Sequence, residues 1–289
     1  MEKGVLKHLL LPLDLSDVAE PLVKVVGEIA KQYGSRVTLL HVIEESIVFH
    51  VAGGYDVTGL IKTLEERARR KLEEFNTQLS DMGVDAEVYH DIPVGSPGAV
   101  ISKIAVEISA SEIVMATKGI GISRILPVGS TFKETVKLAH SPVLRFKVYK
   151  DEGRVKLVSN IPLFKRLLLC VDRNVSKDMI NYAFSAASRD DGKIILLHVI
   201  EPPQTEPEYE IRNAIKYGEK LSRDSGVDME VIMARGSAEK LIREVSEQMD
   251  VSSLIMGRTV EKKISELILG STLDRLIIVS PKPIVIYPL

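Results

Sequence analysis

The chain has 289 residues, 45% of them hydrophobic and 27% charged, with a net charge of −2 at pH 7. That length supports two domains, each with its own core, and the charge balance excludes the basic footprint of a nucleic-acid binder. A single cysteine, Cys170, excludes an internal disulfide framework, and no apolar run nears the roughly 20 residues needed to cross a bilayer.

The run Leu9-Leu10-Leu11-Pro12-Leu13 is too short and interrupted for a signal segment, so the cytoplasm is the expected location. It reads as a parallel strand covered on both faces. Asp14-Leu15-Ser16-Asp17 offers helix-capping residues. Ala19, Leu22, Val23, Val26, Ala30 and Tyr33 then share one face of a helix that Gly34 closes. Arg36 to Ile43 reads as a second strand. From Glu44 to Gly59, around Gly53-Gly54-Tyr55, the pattern dissolves into a loop or partly helical insert. A long helix with a charged face follows from about Leu60 to Met82, then a strand at Val84–Tyr89. Gly95-Ser96-Pro97 opens another helix, whose buried face carries Val100, Ile101, Ile104, Ala105 and Ile108.

Ser111 to Met115 suits a buried strand, and Phe132 to Ala139 a short helix beginning at Ser130 or Thr131. Between them, Ala116-Thr117-Lys118-Gly119 through Gly129-Ser130-Thr131 reads as a phosphate cradle. Free N–H groups and the positive end of a helix dipole would face one spot there, where an anion is stabilised. Glycine would let the backbone approach that anion without a Cβ in the way. Ser141 to Val148 reads as a fifth strand. Strands alternating with helices predict a parallel α/β sheet with right-handed crossovers.

After a polar linker from Tyr149 to about Pro162, the pattern restarts. Leu167 to Asp172 echoes Leu9 to Asp14, and Leu196-Leu197-His198-Val199-Ile200-Glu201 repeats Leu39-Leu40-His41-Val42-Ile43-Glu44 letter for letter. Gly236-Ser237 matches Gly95-Ser96, Gly270-Ser271 matches Gly129-Ser130, and Pro283 matches Pro142. The offset falls from 158 at Asp14 and Asp172 to 141 at Gly129 and Gly270, so the second copy has lost about 17 residues, after His198. A duplication this regular predicts two domains of one architecture, residues 1–150 and 160–289.

Each half resembles a nucleotide-binding universal stress protein domain, whose pattern is Gly-x-x-Gly, nine residues, then Gly-Ser or Gly-Thr. The first half has Ala116, Gly119, nine residues, Gly129-Ser130. The second has Gly257, Val260, nine residues, Gly270-Ser271. The resemblance implies two tandem doubly wound α/β domains with five-stranded parallel sheets, which pair through their fifth strands, Val143–Phe146 and Ile284–Ile286, as an intramolecular pseudo-dimer. It also implies binding of ATP or AMP, with Mg or Mn on the triphosphate. Pro12 and Asp14, like Asp172, would stand near the adenosine, and the backbones of Val42 and Val199 at the adenine edge. Ala116, Gly119, Gly129, Ser130 and Thr131 would line one phosphate cradle, and Gly257, Gly270, Ser271 and Thr272 the other. Ala116 adds one methyl group to the pattern, whereas Val260 puts a β-branched residue where the backbone meets phosphate, so the first site is expected to be the stronger.

The residues also admit plainer readings. The glycines would serve as turn-makers, Asp14 and Asp172 as helix caps, and His41 and His198 as satisfied core histidines. Cys170 reads as an inert core residue, and His8, His50, His90 and His140 show no metal-ligand spacing. Lys118, Arg124, Arg258, Lys262 and Lys263 receive no assignment. Gly119-Ile120-Gly121 lacks the third glycine of a dinucleotide fingerprint, and no nucleophile–base–acid set can be read from spacing. The expected role is an adenine-nucleotide sensor or adaptor in a stress response, with a protein partner and a homodimer of pseudo-dimers as possible assemblies. A slow ATPase or nucleotidyl transferase and a non-binding scaffold are the alternatives.

Overall fold

Leu9, Leu10 and Leu11 are wholly buried in the computed structural model, which describes residues 4–46, 57–118, 129–151, 154–157, 161–203, 209–258 and 271–289. The chain divides into two units. The first holds the described residues up to 116, with 129–141 and 148–157; the second holds the others, including Thr117 and residues 142–147.

The first unit begins with β1 (His8–Pro12), α1 (Ala19–Tyr33), β2 (Arg36–Leu40), β3 (Ile43–Glu44), α2 (Val57–Asp81), β4 (Asp85–Val88) and β5 (Val94–Gly95). It continues with α3 (Pro97–Glu107), the first five residues of β6 (Glu112–Lys118) and α4 (Ser130–Leu138). Its parallel sheet runs β4-β2-β1-β6, with Pro12 opposite Leu40 and Leu10 opposite Ile113. Gly34 ends α1 in the left-handed conformation, φ +62, and its N–H donates to the Ala30 carbonyl. The minor pair β3–β5 has no signature in the sequence pattern. Most of the insert expected at 44–59 lies outside the described residues.

Two expectations need correction. Asp14 and Ser16 do not cap α1, whose N-cap is Val18 with no side-chain hydrogen bond. The Asp14 carboxylate accepts from the Ser16 N–H at 3.0 Å instead, because Leu15 takes φ +58 and turns the chain before the helix starts. The stretch expected as a polar linker is partly a hairpin. β7 (Val143–Asp151) runs on past Val148 and pairs antiparallel with β8 (Arg154–Leu157), Val148 opposite Leu157 and Lys150 opposite Val155. The alternation of Val148 and Val155–Leu157 with polar residues supports that ladder.

The second unit repeats the plan with β9 (Arg166–Val171), α5 (Lys177–Ser188), β10 (Lys193–Ile200), α6 (Tyr209–Ser225) and β11 (Asp228–Arg235). It ends with α7 (Ala238–Gln248), β12 (Ser253–Arg258), α8 (Ser271–Val279) and β13 (Ile284–Pro288). The parallel order is β11-β10-β9-β12-β13. Residues 143–145 of β7 then join β13 antiparallel, Arg145 opposite Ile284, Leu144 opposite Val285 and Val143 opposite Ile286. The two fifth strands therefore pair, and the equivalent residues Leu144 and Val285 are partners. Among the described residues no helix is long and apolar enough to cross a membrane.

A polar chain crosses the amino-terminal end of the first sheet. The Thr38 hydroxyl donates to Glu87 at 3.1 Å and accepts from His8 Nε2 at 2.8 Å, while Arg36 pairs with Glu87 at 2.5 Å. Burial, then the neighbouring Arg36 charge, holds the His8 imidazole below its usual 6.5; Glu87, Asp85 and the Ile108 backbone oppose this. A lowered folded value means the unfolded chain binds more protons, so this contribution is full above pH 6.5 and is lost as pH falls toward the folded value. Thermal melts between pH 7 and 5 should show a shallower acid loss for His8→Asn than for the wild type; parallel curves would exclude His8 as a source.

Candidate functional site

In the order β4-β2-β1-β6, the chain leaves β1 toward β2 on one side and returns as β6 on the other. That switch point lies at the carboxyl ends of β1 and β6, where open parallel sheets hold ligands. Pro12 ends β1, half-buried, and Asp14 follows, exposed. Val42 is half-buried and stands past Leu40, the last residue of β2 paired with β1. Ala116, half-buried, lies near the end of β6. The fold thus brings these four residues to one sheet edge. Gly119 lies outside the described residues.

Gly129 is the N-cap of α4, with φ −63 and ψ 150, and no side-chain cap bond occupies it among the described residues. Ser130 is exposed and Thr131 half-buried in the first turn. Among the described residues, a Cβ built on Gly129 would meet nothing within 4 Å. Its backbone angles are open to any residue, so neither strain nor crowding by the described residues explains glycine here. A helix start without a side-chain cap among the described residues has the chemistry of an anion site.

A clamp fixes the direction of α4. The Glu134 carboxylate accepts from the Ser96 hydroxyl at 2.7 and 2.8 Å and from the Gly98 N–H at 3.2 Å, so it caps the start of α3. A Cβ on Gly98 would come within 2.5 Å of the Glu134 Cβ, so the glycine makes room for the clamp. The second unit has the corresponding contact with altered chemistry, Arg275 on α8 reaching Glu239 on α7 at 3.4 Å. Glu134→Ala should cost about 1–2 kcal/mol by orphaning these donors. A denaturant midpoint unchanged from wild type would show that the clamp contributes nothing.

Histidine supplies a tie that the sequence reading placed in the core. His41 Nδ1 donates to the Leu13 carbonyl at 2.7 Å, immediately before Asp14, and His198 Nδ1 to the Val171 carbonyl at 3.0 Å, immediately before Asp172. His41 is only half-buried, whereas His198 is buried. The letter-for-letter repeat around them was the available signal. Each bond holds the turn carrying the acidic residue against the second strand of its sheet.

In the second unit Asp172 is exposed, and its carboxylate accepts from the Asn174 N–H at 2.8 Å, the same turn as at Asp14. Neither aspartate is a helix cap; Ser176 caps α5, accepting from the Met179 N–H at 3.1 Å. Val199 is half-buried in β10 and Gly257 half-buried in β12. Ser271 opens α8 and Thr272 follows it, half-buried, while Val260 and Gly270 lie outside the described residues. Arg258 is buried, and burial lowers its guanidinium value. Arg124, Lys262 and Lys263 lie outside the described residues, as does the side chain of Lys118. Burial pushes the Cys170 thiol up to about 12, which keeps it protonated and unreactive at neutral pH.

Two universal stress proteins of Methanocaldococcus jannaschii are similar to parts of this chain. One is 29% identical over 153 residues, covering 52% of this chain and 87% of that protein. The other is 31% identical over 157 residues, covering 49% and 94%. The crystal structure of a universal stress protein from Archaeoglobus fulgidus superimposes with a TM-score of 0.76, covering 97% of this chain and 98% of that one at 24% identity, which supports the fold. The model of the Universal stress protein family matches residues 6–147 and again residues 163–288. With nearly the whole chain accounted for by two copies of one family pattern, it belongs to the universal stress protein family as a tandem member.

Proposed function

We propose that the first unit binds an adenine nucleotide, ATP or AMP, and that occupancy acts as a signal rather than as a step in catalysis. The observation that carries this reading is Gly129, a glycine with ordinary backbone angles that, among the described residues, has nothing within 4 Å of a built Cβ and no side-chain cap on the helix behind it. The N–H groups of the first turn of α4, with the Ser130 and Thr131 hydroxyls, would bind phosphate. Asp14, held in its turn by the Ser16 N–H, would accept from ribose hydroxyls. The Val42 backbone, beyond the end of the strand ladder, would meet the adenine edge. The clamp from Glu134 to Ser96 and Gly98 keeps the donors of α4 aimed at one place.

The Gly119–Gly129 pattern implies a nucleotide of this kind by family resemblance. Among the described residues no group of three or more His, Cys, Asp or Glu is placed to hold a metal, so Mg or Mn would arrive on the triphosphate oxygens. A nucleotide that prefers one arrangement of the cradle would bias the surface offered to a protein partner by the difference in its affinities. The single cysteine suits a reducing cytoplasm for this role. Calorimetric titration of ATP and of AMP, each with and without Mg, into the intact chain should give a saturable isotherm for at least one of them. No detectable binding of either at millimolar concentration would overturn the reading.

A further inference from the structure

The second unit offers the same kind of switch point, between β9 and β12, with Met256 opposite Cys170 and Gly257 one residue further on. A glycine in that place lets something approach the strand closely. Here the chain itself does so. A Cβ on Gly257 would lie 2.5 Å from Cδ1 of Leu289, 3.1 Å from its Cγ and 3.3 Å from its Cδ2. Gly257 is opposite Tyr287 and Arg258 opposite Pro288, so Leu289 emerges one residue past the ladder and folds its side chain over Gly257. The approach is anchored, since the Tyr287 ring packs on Tyr182 of α5 with centroids 5.4 Å apart and Pro288 stiffens the next step. Leu289 itself stays 43% exposed, so its seat can be vacated without opening the core.

The first unit carries different residues at both positions. The counterpart of Gly257 is Ala116, and the counterpart of Leu289 is Val148, which is buried and paired with Leu157 in the β7–β8 hairpin. We infer that Leu289 is the specificity-determining residue of the second unit: its side chain occupies the approach to Gly257 and excludes nucleotide from that crevice. The intact chain therefore takes one adenine nucleotide, in the first unit. The count of one rests on the reading proposed for Gly129; the exclusion at Gly257 does not. Gly257, on this account, is a glycine kept for Leu289 rather than for a ligand.

The test is calorimetric titration of ATP into wild type, Leu289→Ala, and the double variant Leu289→Ala with Gly129→Val, each checked by thermal melting. Leu289 is partly exposed, so all three should melt cooperatively. The expected stoichiometries are one, two and one nucleotide per chain. Equal stoichiometry in wild type and Leu289→Ala would overturn the inference, as would two sites in the wild type. A wild type that binds none, beside a Leu289→Ala variant that binds one, would sustain the inference while removing the reading of the first site.

Discussion

Replacing Arg145 by alanine is expected to destabilise the second unit by about 3–5 kcal/mol, the largest single-residue effect on stability in the chain. Arg145 comes from β7, in the first sequence copy, yet its guanidinium is wholly buried against the end of α8. Nε donates to the Thr117 hydroxyl at 2.8 Å, Nη1 to the Ser280 and Lys282 carbonyls at 3.0 and 3.3 Å, and Nη2 to the Ile277 carbonyl. Lys147 adds a bond to the Val279 carbonyl at 3.0 Å. Among the described residues no carboxylate pairs with Arg145, so the counter-charge is the negative end of the α8 dipole. Burial pulls the guanidinium down to about 9, which still leaves it cationic at neutral pH. Removing the fork strands the buried Ser280 and Ile277 carbonyls. Arg145→Lys should recover only part of the loss, because a single ammonium cannot span acceptors placed for a planar group. Scanning calorimetry, which separates the transitions of a two-unit chain, is the suitable measurement. A loss below about 1 kcal/mol would show that the buried fork is dispensable.

Why that arginine was invisible in the sequence follows from the repeat itself. Its counterpart in the second copy is Ile286, so the comparison that revealed every shared feature was silent about this one. Periodicity recovered what periodicity can carry, the leucine runs of β1 and β9 and the helix faces; the pairing of the two fifth strands was an implication of the family resemblance. Glu112 shows the limit from the other side. It lies in a stretch that reads as apolar and is wholly buried, its two oxygens accepting from the Leu6 N–H at 3.0 and 2.9 Å. Only tertiary structure reveals that partner. The hairpin after Val148 was missed because its polar residues look like a linker unless both strands are seen together. At the candidate site, residue types and spacing indicated the glycine cradle with Gly129, while Asp14 and Val42 were implied by the family resemblance. What the spacing could not show is that Asp14 closes a turn instead of capping a helix, or that Leu289 rests on Gly257. Those depend on where the chain goes after leaving a strand.

Gly129→Val is expected to separate ligand from fold. Valine at the N-cap should cost no more than about 1 kcal/mol, because φ −63 suits it, no side-chain cap bond is lost and the first added carbon meets none of the described residues. The added carbons would stand where phosphate must approach the first N–H groups of α4. Affinity for ATP should fall about 100-fold, near 2.7 kcal/mol. Glycines kept for a turn behave in the opposite way: Gly34, at φ +62, would lose stability on substitution and leave binding alone. The most direct measurement is therefore an ATP titration of wild type and Gly129→Val, with thermal midpoints recorded on the same samples. The account predicts nearly equal midpoints and a roughly hundredfold weaker isotherm for the variant. Equal affinities in the two proteins would contradict it, since the start of α4 would then not be where nucleotide binds.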